Sequence, residues 1–345
     1  MRFDLISARL RASAAPDAHG NRPVEPANEE APTLPRTPAK PIYALLAVAL
    51  TVALAGCGRS GASAVPASGA GATAKLQIVA AENFWGSIAS QLGGTKAVVK
   101  SIIVDPNADP HTYQPTAADA RAIAGANMVI ANGLGYDNWS SQVLQASPQS
   151  GRVVLNVGDL LGLTSGANQH RWYYPANVKA VIDQIVADYS RLDPADAAYF
   201  SQQKQTFENV DLARYNQLRA EIRSRYAGVP VGYSESIFQG LGEDLGLRLM
   251  TPYSFAKAIA EGTEVSAADK QTVDNQARRR QIKVWVFNSQ NVTPDVQRVT
   301  ETATRQNIPV ATITETLAPQ NSSFQQWQVK QLEGLQRALR LATGS

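Results

Sequence analysis

Four side chains in this sequence stand where imidazole and carboxylate chemistry can meet. The chain has three histidines, and two of them, His111 and His170, fall in loops just after short apolar runs. Two glutamates, Glu235 and Glu315, follow the apolar runs 229–234 and 310–314. Imidazole nitrogen and carboxylate oxygen together suit Mn, Fe or Zn. Two neutral imidazoles and two carboxylates would also neutralise a dication. Spacing alone does not choose these glutamates over Glu261, Glu264 or Asp109. The same donors can serve a hydrolytic metal site, which also needs an open water position and a positioned base or nucleophile. The sequence has no His-Glu-x-x-His, no Gly-x-Ser-x-Gly and no paired-carboxylate motif, so it reads as a binder and not an enzyme. The other rival is a receptor for an organic solute, which would want convergent Arg or aromatic groups at these positions.

The elements that must position these residues alternate regularly. Strands are expected at 76–81, 98–104, 128–132 and 152–157, with helices at 84–92, 116–124 and 138–144. Two helices follow. One starts at Pro175, whose fixed φ suits a first turn. The other runs from Asp193-Pro194 to Tyr226, and about 30 helical residues would reach about 45 Å, long enough to strut two lobes. A second set follows, with strands 230–234, 248–251, 283–288 and 309–314 and helices 237–245, 267–279, 293–306 and 323–342. Apolar strands alternating with helices imply an α/β fold of two lobes, each with a mostly parallel sheet covered by helices. Ligands in such sheets bind outside the carboxyl ends of the strands. His111, His170, Glu235 and Glu315 all lie at those ends, two from each half, so the site is expected in the cleft between lobes.

Several segments resemble one family. Asp109-Pro110-His111-Thr112-Tyr113-Gln114-Pro115-Thr116 is similar to the first metal-ligand loop of the zinc/manganese substrate-binding proteins of ABC importers (cluster A-I). Asn132-Gly133-Leu134-Gly135-Tyr136-Asp137-Asn138-Trp139 resembles the next loop, and Gln169-His170-Arg171-Trp172 the second histidine segment. Tyr233-Ser234-Glu235-Ser236-Ile237-Phe238 and Thr312-Ile313-Thr314-Glu315-Thr316-Leu317 resemble the third and fourth ligand segments. The resemblance implies His111, His170, Glu235 and Glu315 as ligands of one divalent ion, Mn²⁺ or Zn²⁺ with Fe²⁺ behind them. It also implies a monomeric receptor working with a membrane permease and its ATPase. The chain departs from the family in four places. Glu235 stands where many zinc-specific members have a third histidine, and Glu315 where the usual ligand is Asp. Tyr174 replaces an Asp, and 158–169 holds no histidine-rich loop. Carboxylates favour Mn²⁺, whereas the Irving–Williams order favours Zn²⁺. Asp109, Ser234, Asn288 and Gln290 are candidates for fixing the imidazole tautomers, and Trp172, Tyr173 and Tyr174 read as core packing.

Composition agrees with export. The 345 residues carry a net charge of +3 with no dense basic block, which excludes a nucleic-acid footprint. A single cysteine, Cys57, excludes an internal disulfide framework. Residues 1–40 have a disorder-like composition. The apolar run 42–54, after Arg36 and Lys40, reads as a secretory signal too short to span a bilayer. It ends Leu54-Ala55-Gly56-Cys57, which resembles the bacterial lipobox and implies lipidation at Cys57 and anchoring on the extracytoplasmic side of the cell membrane. The expected organisation is signal 1–57, flexible tether 58–75, first lobe 76–174, helical connection 175–228 and second lobe 229–345.

Overall fold

A computed structural model describes residues 74–344. The expected signal and Cys57 lie outside the described residues. The first lobe runs β1 Leu76–Glu82, α1 Asn83–Gly93, β2 Ala97–Ile103, α2 Ala117–Ala124, β3 Met128–Ala131, α3 Asn138–Ala146, β4 Val153–Asn156 and the single turn α4 Val157–Leu160. Its four strands are all parallel, in the order β2-β1-β3-β4. β3 and residues 78–81 of β1 are apolar on both faces because helices cover both, as buried parallel strands require.

Three helical segments connect the lobes: α5 Pro175–Leu192, α6 Ala197–Thr206 and α7 Ala213–Tyr226. The expected single long helix is interrupted. Phe207–Asp211 forms a π-turn, closed by Leu212 N–H donating to the Phe207 carbonyl at 2.9 Å. Its cause is visible in the apolar spacing. Phe200, Phe207, Leu212, Tyr215, Leu218, Ile222 and Tyr226 are all buried, but the step from 207 to 212 is five residues. An ideal α-helix would turn Leu212 off the buried face; the wider turn brings it back. α6 packs on α5 and α1, and α7 packs on the last helix, so this run braces both lobes.

The second lobe repeats the first: β5 Pro230–Tyr233, α8 Gln239–Asp244, β6 Arg248–Leu249, α9 Tyr253–Ala260, α10 Ala267–Arg278, β7 Val284–Asn288, α11 Pro294–Arg305, β8 Val310–Ile313 and α12 Phe324–Thr343. The parallel order β6-β5-β7-β8 matches the first sheet. α9 is absent from the expected elements, since eight residues behind Pro252 show too few turns to establish a period. A single apolar cluster runs from β1 and β3 through α5 and α7 to β5, β7 and α12, so the two sheets share one core. Trp172 and Tyr173 are fully buried within it, Trp172 stacked on Phe84 at 3.9 Å, as packing residues should be. No helix among the described residues is long and apolar enough to cross a membrane.

Candidate metal centre

The carboxyl ends of the two sheets face each other, and three of the four expected donors converge there. His170 Nε2 lies 3.4 Å from Glu235 Oε1 and 3.6 Å from Glu315 Oε2. One donor atom from each residue falls within 4.8 Å of the others, an arrangement that can hold one metal ion. His170 and Glu235 are buried, and Glu315 opens slightly toward the cleft. Loop position explains the convergence: Glu235 and Glu315 each sit two residues beyond the ends of β5 and β8.

Every other polar atom of the trio is tied away from the centre. Asn168 Oδ1 accepts from the His170 backbone N–H at 3.0 Å and from its Nδ1–H at 2.9 Å. That bond leaves Nε2 as the free lone pair, the usual way a second partner fixes a ligand tautomer. The Asn168 amide then donates to the Ser236 carbonyl at 2.7 Å, linking the histidine loop to the second lobe. Asn288 Nδ2 donates to Glu235 Oε2 at 2.8 Å and to Glu315 Oε1 at 2.9 Å. Asn291 adds a donor to Glu235 Oε2 at 3.2 Å. Each carboxylate therefore offers one oxygen inward. Glu235 Oε1 and His170 Nε2 are buried with no hydrogen-bond partner, which an ion would supply. Tyr136 adds a second contact to Glu315, its hydroxyl donating to Oε2 at 2.9 Å.

The charges are arranged for a cation. Burial opposes protonation of His170, but the adjacent Glu315 and Glu235 outweigh it and raise the imidazole to about 9. Burial and the Glu315 charge push Glu235 above the ordinary carboxylate range. Burial works the same way on Glu315, yet His170 beside it holds this carboxyl below its usual value. Without metal, a proton on His170 occupies the place of the ion.

His111 stands apart from the trio. It is exposed on the 105–115 loop, its Nε2 is 3.0 Å from Gln169 Nε2, and its ring meets Tyr136 edge-on at 4.9 Å between centroids. Together with Glu315, Asp109 and Asn291 it lines a cleft cavity of about 420 Å³. The competing acids lie outside the trio: Glu261 pairs with Lys257, and Glu264 and Asp109 are exposed. Asp109 instead fastens its loop, accepting from the His111 N–H at 2.9 Å. None of the four expected tautomer-fixing residues holds an imidazole. Asn288 tethers the carboxylates; Ser234 accepts from the Asn288 N–H at 3.0 Å; Gln290 accepts from Thr316 N at 3.0 Å. The residues that do serve the imidazoles are Asn168 and Gln169. Asn168 has one signal in the sequence, an amide two residues before a histidine.

Known proteins share this arrangement of lobes and loops. The model of the family described as zinc-uptake complex component A, periplasmic, matches residues 78–338. The chain belongs to this family. Among curated members of similar sequence, the iron-binding protein YfeA of Yersinia pestis is 27% identical over 185 residues, 50% of this chain and 58% of that protein. The manganese-binding lipoprotein MntA of Bacillus subtilis is 28% identical over 224 residues, 57% of this chain and 70% of that protein. The chain thus spans little more than half the length of YfeA. The Mn-bound periplasmic metal binding protein from Candidatus Liberibacter asiaticus superposes with a TM-score of 0.63 at 19% identity, covering 77% of this chain and 100% of that one. That likeness establishes the two-lobed α/β fold for this chain.

Proposed function

We propose that this protein captures one divalent transition-metal ion through His170, Glu235 and Glu315, with His111 as the fourth ligand, and hands it to the permease and ATPase of an ABC importer. The observation that carries the reading is the inward set of Nε2, Oε1 and Oε2, each with its companion atom tied by an amide, while the Tyr136 phenol also holds the inward Glu315 Oε2. A neutral imidazole and two carboxylates balance a dication without leaving net charge in the cleft. His111 joins them by exchanging Gln169 for the ion. His170, Glu235 and Glu315 would all be used as ligands, which favours a receptor over a metalloenzyme. A lipid at Cys57 would keep the receptor at the outer face of the cell membrane, a reading supported by its similarity to manganese-binding lipoproteins.

Two features pull the metal choice in opposite directions. Two oxygen donors favour Mn²⁺, and two relatives are named for manganese. One oxygen per carboxylate with two imidazoles makes four protein donors, the number Zn²⁺ prefers. Elemental analysis of the purified protein with competitive titration of Mn²⁺ against Zn²⁺ decides between them. A bound ion at about 100 times its Kd should stabilise the fold by about 2.7 kcal/mol. His170→Ala should abolish binding, and His111→Ala should weaken it at least about tenfold. An unshifted melting temperature with Mn²⁺, Zn²⁺ and Fe²⁺ would overturn the proposal.

A further inference from the structure

The first lobe holds a further pair of acids, both buried. Glu82 ends β1 and is fully buried, and neither of its carboxyl oxygens meets an N–H or O–H donor. A buried carboxylate left that way is heavily penalised, because nothing replaces its lost hydration. The Glu82 carboxyl meets that of Asp137, also buried, whose carboxylate accepts from Asn132 N at 2.7 Å and Gly133 N at 2.8 Å. Asp137 is thus held as an acceptor by two backbone donors. Glu82 is the group left to carry a hydrogen.

The segment that Asp137 closes is unusual. Gly133, Leu134 and Gly135 have φ of 71°, 58° and 87° in succession. The left-handed region disfavours Leu134, so the turn needs fastening. From this turn, Tyr136 reaches Glu315 at 2.9 Å, and Asn132 Nδ2 donates to the Gln169 carbonyl at 2.9 Å, one residue before His170. Asn132 Oδ1 is itself held by Trp85 Nε1 at 3.1 Å, so that indole is not free to serve Glu82.

We propose that Glu82 and Asp137 share a single buried proton, and that this neutral clamp is a positioning device fixing the 132–137 turn against both halves of the metal centre. Glu82 donates the proton; Asp137 accepts it while its other lone pairs hold the turn. Burial first, and the Asp137 charge second, keep Glu82 protonated well above the ordinary carboxylic range. Burial also raises Asp137, against its backbone donors. The other titratable group that feels Glu82 is the Tyr136 phenol, which its charge would keep protonated.

The test uses the full chain with Glu82→Gln, which keeps a donor without an ionisable proton, and Glu82→Ala, which does not. A raised folded-state pKa means stability that is present at low pH and lost as pH rises toward the folded value. Metal-free Glu82→Gln should therefore melt with the wild type near about pH 5 and above it near about pH 9. The infrared carbonyl band of a protonated carboxylic acid should be present in the wild type at neutral pH and reduced in Glu82→Gln. The link to the metal rests on the proposed function. Glu82→Ala should weaken Mn²⁺ or Zn²⁺ binding by about tenfold, with Glu82→Gln rescuing it. Equal melting curves at every pH, a Glu82→Gln protein less stable than wild type, or an unchanged carbonyl band would overturn the shared proton. Failure of the wild type to bind any ion would sink the proposed function and leave the melting and infrared results to decide the clamp.

Discussion

Tyr136 donates its hydroxyl hydrogen to Glu315 Oε2 at 2.9 Å, joining a turn of the first lobe to a carboxylate of the second. The phenol is fully buried, and burial together with the Glu315 charge keeps it protonated far above its ordinary range. Tyr136 is therefore a permanent donor. An Oε2 with two lone pairs can accept from the phenol and still face an ion.

Tyr136→Phe removes that donor without changing the packing of the ring. A hydrogen bond to a charged group is worth about 1.5–3 kcal/mol, so the metal-free protein should lose about that much stability. With Glu315 held by Asn288 alone, affinity for Mn²⁺ or Zn²⁺ should fall on the order of tenfold. Urea denaturation and metal titration measure the two effects separately. A variant as stable as the parent would show that the bond across the cleft contributes nothing.

Proton release is the second expectation. His170 is raised to about 9 by its two carboxylates against the effect of burial, so the metal-free site carries a proton at neutral pH. An ion must displace it, and affinity should climb with pH by up to about tenfold per unit below pH 9, then level off. The stability of the metal-free fold should move oppositely. The His170 contribution is complete below the ordinary imidazole value and is lost as pH rises through about 9. Calorimetry in buffers of different ionisation enthalpy counts the released protons. A binding constant flat across this range would contradict a protonated His170.

The alternation of elements was legible in the sequence because strands covered on both sides must be apolar throughout, as in Val79–Ala81 and Met128–Ala131. The long helix was legible as helix but not as a broken one, since the five-residue step from Phe207 to Leu212 matters only once both are known to be buried. Four candidate ligands could be placed at strand ends, yet spacing could not distinguish Glu315 from Glu261. What separates them is that β8 ends beside β7 and α9 ends at the rim of the cleft. Amides were the blind spot. Asn168, Asn288 and Asn291 look like ordinary turn residues, and only three-dimensional contact shows which amide tethers which carboxylate. The chemistry of His111 is equally distributed, because its present partner, Gln169, lies 58 residues away.

The last expectation concerns Asn288. Its buried side-chain amide spans two carboxylates, at 2.8 Å to Glu235 Oε2 and 2.9 Å to Glu315 Oε1. Asn288→Ala leaves Glu235 Oε2 with only the longer Asn291 contact and takes the amide donor from Glu315 Oε1. Stripping donors from buried charged groups should cost the metal-free fold about 3 kcal/mol or more. The metal should recover part of that loss, because the released oxygens can turn inward as bidentate ligands. Bidentate carboxylates raise the coordination number, which Mn²⁺ tolerates and tetrahedral Zn²⁺ does not favour. Competitive titration should therefore show a Zn²⁺-over-Mn²⁺ preference that narrows in Asn288→Ala, even as both affinities drop by about 10- to 100-fold. A preference that stays fixed while both affinities fall would mean that Asn288 holds the carboxylates in place without setting how many oxygens they present.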